Sequence, residues 1–209
     1  MSLLNKKILF VHINKSCGGV IVENFHRNGL NEITGCHRTL KNMLEIVEKK
    51  NIDKNKLFIF TIVRNPWNRM LSMYLWYRKG YYFYVPQFYS NDESIDNDFN
   101  KWIEYIYSDK FDRTKELYGG LNIYKYCFCN QLDWMKDDNK LIDNINMYKI
   151  EDLDLEDFFI NVLNLYNYDF KTPVHPTKHS HYRNYYNETT RELVRKHYKE
   201  DINYFKYEY

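Results

Sequence analysis

ILFVHINKSCGG, residues 8–19, is a compact apolar run that ends in a Lys/Gly turn and passes into a segment with helical character. Its counterpart, LFIFTIVRNPWNRMLSMY at residues 57–74, repeats the move: an apolar run, a charged turn, then a helix. A strand that turns through lysine and glycine into a helix can hold an anion. The turn's backbone N–H groups and the helix N-terminus point at the negative charge, and Lys15 adds a full positive charge. The second unit ends its strand in Arg64, with Pro66 placed to open a helix and Ser72 further along it. The chain thus presents two anion sites at the carboxyl edge of one parallel sheet. A ligand with two separated phosphates fits that layout.

Working outward from these units, strands are expected at 7–13 and 57–63, each continuous enough to be buried on both faces. Helices are expected at 19–28, stopped by Gly29, and at 40–50, with Leu40, Met43, Leu44 and Val47 on one face. A short strand is expected at 33–37, a helix at 66–79 and another at 98–107. The aromatic, turn-rich stretch 80–97 reads as a loop or lid, and 109–130 gives no clear element. A late strand at 147–150 precedes a helix at 155–165. The last helix, 188–205, carries the stripe Val194, Tyr198, Ile202 and Phe205, with Asn187 or a Thr189-x-x-Glu192 box as its cap. Strand–helix alternation makes the class α/β with a parallel sheet. Nothing marks a linker or repeat, so 1–209 reads as one domain.

At these residues the chain resembles the sulfotransferases that use 3'-phosphoadenosine 5'-phosphosulfate (PAPS), most closely the carbohydrate-type branch. That family's phosphosulfate loop reads roughly Pro-Lys-Thr-Ala-Gly-Thr-Ser, matched by Asn14-Lys15-Ser16-Cys17-Gly18-Gly19-Val20. Its second motif, Arg-Asn-Pro followed by an aromatic, an Arg and a Ser, is matched by Arg64-Asn65-Pro66-Trp67-Asn68-Arg69 and Ser72. The segment Lys178-His179-Ser180-His181-Tyr182-Arg183-Asn184-Tyr185-Tyr186 resembles the C-terminal segment that precedes the family's final helix. The resemblance covers nearly the whole chain in one order. Asn14 departs from the usual proline, and Gly19-Val20 from the usual Thr-Ser pair. Gly19 keeps its backbone N–H, but two hydroxyl donors are absent.

The resemblance implies a P-loop-like three-layer α/β/α fold with a central parallel sheet and a PAPS-dependent transfer to a hydroxyl, that of a saccharide. It assigns Lys15 to the bridging oxygen, and the backbone of Ser16, Cys17, Gly18 and Gly19 to the 5'-phosphate. Arg64 and Ser72 go to the 3'-phosphate, the dipole of the helix opening at Pro66 adding to them, and Lys178, Tyr182 and Arg183 to a closing segment. Sulfuryl transfer, like phosphoryl transfer, asks mainly for positioning and charge stabilisation. His37 matches a histidine of the carbohydrate branch and suits a general base near neutral pH. A helix-start histidine with no role is the plain alternative. His12 could touch the donor or simply pack at its strand end. Arg69 reads as a brace for the turn.

The remaining features mostly exclude. A net charge of +2, from 30 basic and 28 acidic residues, leaves no general polyanion character, so no nucleic-acid partner is expected. No apolar run is long enough to span a membrane, and Lys6 and Lys7 are not followed by a signal-type apolar segment. A soluble, cytoplasmic enzyme is expected. Cys17, Cys36, Cys127 and Cys129 form no zinc or disulfide pattern, and His175, His179 and His181 lack further ligands, so no metal is expected. A P-loop nucleotide kinase would need its lysine after the glycines, and an Asp where the second strand ends in Arg64. A non-catalytic phosphoadenosine-binding module, suggested by Gly19-Val20, is the alternative to an enzyme.

Overall fold

The computed structural model describes residues 2–4, 6–30, 37–78, 90, 92–114, 116–117, 121–122, 127–171 and 179–209. They fall into two compact units, Met1–Arg64 with Gln131–Pro176, and Asn65–Asn130 with Thr177–Tyr209.

The first unit is built on a four-stranded sheet in the order β1 (Ser2–Leu4), β2 (Ile8–Val11), β3 (Phe58–Val63), β4 (Asn146–Lys149). β2, β3 and β4 run parallel, with Phe10 beside Phe60 and Thr61 beside Met147. β1 adds an antiparallel edge that sequence reasoning did not find. Helices flank the parallel strands, so the α/β expectation holds. Strand alternation sends Phe10, Phe60 and Ile62 to one face, where they meet Ile21 and Phe25 of α1 (Gly18–Arg27) and Phe158 and Phe159. Phe10 stacks on Phe60 at 4.8 Å and Phe60 meets Phe158 edge-on at 5.3 Å. The buried Thr61 hydroxyl donates to the Val11 carbonyl at 2.8 Å, so the one polar side chain in β3 is satisfied.

α1 ends as expected at Gly29, whose φ of 68° takes the left-handed turn while its N–H donates to the His26 carbonyl and that of Leu30 to Phe25. α2 (Leu40–Lys49) buries Leu40, Met43 and Val47, with Thr39 as its cap. The helix expected over 155–165 is one α-turn, Leu155–Asp157, followed by a π-turn, Phe158–Val162. That wider turn carries the adjacent Phe158 and Phe159 both into the core. The strand expected at 33–37 lies outside the described residues apart from His37, which stands in a bend.

The second unit packs α3 (Pro66–Arg78), α4 (Phe99–Ile106), α5 (Glu188–His197) and α6 (Lys199–Phe205) around Trp67, Met70, Tyr77, Trp102, Phe128, Val194 and Tyr198. The single C-terminal helix expected over 188–205 is therefore two. It breaks at Tyr198 (φ −106°, ψ 25°), a fully buried ring whose hydroxyl reaches Met70 Sδ at 3.2 Å. Asn187, not Thr189, caps α5, its Oδ1 accepting the Thr190 N–H at 2.8 Å. Of the loop expected at 80–97, residues 80–89 and 91 lie outside the described set, and Glu93–Asp96 forms a short helix.

Candidate active site

The turn after β2 is strained in a particular way. Lys15 and Cys17 both adopt positive φ, 62° and 66°, where a residue with a Cβ pays on the order of 1–2 kcal/mol. Left-handed residues interleaved with right-handed ones fold the backbone into a concavity with its N–H groups turned inward, a shape that receives anions. Cys17 is also the N-cap of α1, and its left-handed backbone makes no side-chain cap hydrogen bond. The N-cap side chain therefore leaves uncovered the first turn of α1, where Gly18 and Gly19 stand.

Gly18 is required by packing. A Cβ there would stand 1.9 Å from Cδ2 and 2.0 Å from Nε2 of His12. The His12 ring is held in turn against Phe10 at 5.6 Å and His37 at 4.5 Å. Its Nδ1 is buried with no hydrogen-bond partner among the described residues. Burial first, then the charges of His37, the N-terminal amine and Lys15, hold His12 well below the usual histidine range, so it is neutral. Of the two roles open to His12, packing is the one the structure displays.

His37 also has positive φ, 61°, and its Nδ1 lies 3.2 Å from the His12 carbonyl, with the Trp134 ring edge-on at 6.4 Å. A carbonyl only accepts, so this bond places the proton on Nδ1 and the lone pair of the neutral ring on Nε2.

Arg64, one residue beyond β3, sends Nη1 to the Lys15 carbonyl at 3.3 Å. Burial pushes the Cys17 thiol up and the Arg64 charge pulls it partly back. Ser16 is buried, and its hydroxyl donates to Gln131 Oε1 at 3.1 Å. That side chain is thus spent inside the protein, leaving Ser16 only its backbone for a ligand. The structure brings together Lys15, Ser16, Cys17, Gly18, Arg64 and His37, with Gly19 in the turn behind. One member of the cluster, Gln131, was not among the residues singled out from the sequence, whereas His12 was named with two roles open. Gln131 lies 67 residues from Arg64 and 115 from Ser16, so no local pattern could have marked it.

The other proposed residues belong to the second unit. Ser72 is buried on α3. Tyr182 is buried, and Arg183 lies over the Tyr182 and Tyr209 rings and donates to the Tyr209 carbonyl. Lys178 lies outside the described residues. Arg69, fully buried, donates to the carbonyls of Cys127 at 3.2 Å and Cys129 at 3.5 Å. It braces that segment. The turn itself is held by Asn65, whose Oδ1 accepts the N–H groups of Trp67 at 3.1 Å and Asn68 at 3.3 Å. With those N–H groups taken, what α3 would bring to an anion there is its dipole and not free backbone donors. Among the described residues no His, Cys, Asp or Glu cluster could hold a metal, and no helix is long and apolar enough to cross a membrane.

A strained loop at a helix N-terminus, a lysine, an arginine and a base-competent histidine form a donor set suited to an anionic group and a proton to be removed. The sequence profile of the sulfotransferase family matches residues 4–208, and the chain belongs to that family. It is a sulfotransferase, an enzyme of sulfuryl transfer. No curated protein and no solved structure matches the chain.

Proposed function

We propose that this enzyme takes its sulfuryl group from PAPS and passes it to a carbohydrate hydroxyl, with residues 1–209 acting as one catalytic domain. The observation that carries the donor is the Lys15–Gly18 turn. It combines two strained non-glycine residues, an uncapped helix N-terminus and the Arg64 guanidinium in one place. Backbone strain of this kind persists where function uses it. The carbohydrate acceptor rests on the likeness of His37 and the segment around Tyr182 to the carbohydrate branch.

PAPS, when bound, supplies the sulfuryl group and a phosphate leaving group. The backbone of Ser16, Cys17, Gly18 and Gly19 holds the 5'-phosphate end. The Lys15 ammonium meets the negative charge that grows on the bridging oxygen as the S–O bond breaks. Arg64 takes the 3'-phosphate, and the motif match adds Ser72 to it, with Lys178, Tyr182 and Arg183 as closing residues. His37 accepts the acceptor hydroxyl's proton at Nε2, its ring oriented by the Nδ1 bond to His12. The positive charge comes from Lys15, Arg64 and the α1 terminus, so this reading requires no divalent ion.

The test is transfer from PAPS to a panel of saccharides, followed by mass spectrometry of the sulfated product. His37→Ala is expected to leave nucleotide affinity near wild type and lower turnover about 10²–10⁴-fold. Lys15→Ala is expected to lower both. Full turnover in His37→Ala would remove the base assignment, and transfer to no saccharide would remove the acceptor class.

A further inference from the structure

Gln131 is fully buried at the head of the 3-10 turn Gln131–Met135. Its Oε1 accepts the Arg64 N–H at 2.9 Å and the Ser16 hydroxyl at 3.1 Å, while its Nε2 donates to the Arg64 carbonyl at 2.8 Å. The parallel ladder of β3 with β4 ends one residue earlier, where the Val63 carbonyl accepts from Ile150 at 2.9 Å. Arg64 has passed beyond the ladder, and a side-chain amide binds its backbone donor and acceptor as a neighbouring strand would.

We propose that Gln131 is a positioning residue that couples the anion loop to Arg64, fixing through one primary amide the spacing between the two cationic elements. The inference rests on the two-phosphate donor reading above. Only a primary amide serves all three partners at once. Glutamate keeps the acceptors but has no donor for the Arg64 carbonyl while ionised. Methionine keeps the volume and makes none of the bonds. Because Gln131 grips both polar groups of Arg64 and only the hydroxyl of Ser16, its loss should fall more heavily on Arg64. The loop keeps its own left-handed geometry and its bond from Arg64 Nη1.

The experiment titrates adenosine 3',5'-bisphosphate and AMP into wild type, Gln131→Met, Gln131→Glu and Ser16→Ala. Wild type is expected to prefer the bisphosphate. In Gln131→Met the bisphosphate should lose about tenfold or more in affinity and AMP markedly less, so the preference shrinks. Ser16→Ala, which touches the loop alone, should weaken both nucleotides by a common factor. In Gln131→Glu the deficit relative to wild type at the same pH should grow as pH rises through the carboxyl's titration. It should shrink at low pH, where the protonated acid again donates. That pH profile also carries the test if Gln131→Met fails to fold. Equal losses of the two nucleotides in Gln131→Met, or a Gln131→Glu deficit independent of pH, would overturn the positioning role. A wild type without preference would instead defeat the donor reading before any variant is compared.

Discussion

The chain makes the same strand-to-helix turn twice, after Val11 and after Val63, and finishes the two helices in opposite ways. At α1 the N-cap, Cys17, is left-handed and gives no side-chain hydrogen bond, while Lys15 repeats the strain two residues earlier. At α3, Asn65 lays its Oδ1 across the N–H groups of Trp67 and Asn68, and Pro66 supplies a first helical residue that has no N–H to satisfy. The first terminus has no side-chain cap from its N-cap residue and costs backbone strain. The second is closed by its own chain and relaxed. A strand followed by a polar turn and a helix is therefore not enough to define an anion site. What decides is whether the helix's first donors are already taken. At the second turn the full positive charge comes from the Arg64 side chain, because the first N–H groups of the helix are already bonded and only its dipole remains.

Two substitutions attack that contrast from either side, the larger effect first. Gly18→Ala drives a Cβ into the His12 ring, which is braced by Phe10 and His37 and has little room to yield. It should cost about 1–3 kcal/mol of stability from overpacking. It should also depress both nucleotide affinity and turnover, since the loop and His37 move together. His12→Ala in the same chain should recover the overpacking part, so the two changes will be strongly non-additive in thermal melts. Additive effects would show that His12 does not set the shape of the loop.

Asn65→Ala should do the opposite. Loss of the cap should lower stability by about 1 kcal/mol in denaturant titrations, with AMP affinity unchanged, because the α3 terminus is not offered to the ligand. A matching fall in AMP affinity would mean that the second helix end takes part in binding after all.

Much of the first unit was legible. β2 and β3 are unbroken apolar runs between turn signals, and α1, α2 and their stop at Gly29 follow from spacing and cap chemistry that neighbouring residues decide. β1 was not, since Ser2–Leu4 is too short to display a period and its partner is chosen by pairing with Phe10, Leu9 and Ile8. The break at Tyr198 was hidden because Val194, Tyr198 and Ile202 continue a helical stripe, and no glycine or proline stands there to mark the stop. In the site, Lys15, Gly18 and Arg64 stood out by residue type and order. Asn65 was read as part of a motif when its local chemistry was that of a cap. Gln131 had no signature, because a glutamine's long-range hydrogen bonds leave no pattern in its neighbours.

The most direct test of the central claim, that the open α1 loop and the Arg64 side chain hold two different phosphates, is calorimetric titration of wild type and Arg64→Ala with AMP and with adenosine 3',5'-bisphosphate. Loss of a charged hydrogen-bond partner is worth about 1.5–3 kcal/mol. Wild type should therefore prefer the bisphosphate by that margin, and Arg64→Ala should lose the preference while still binding AMP. Equal affinity of wild type for the two nucleotides, or a preference that survives Arg64→Ala intact, would contradict it.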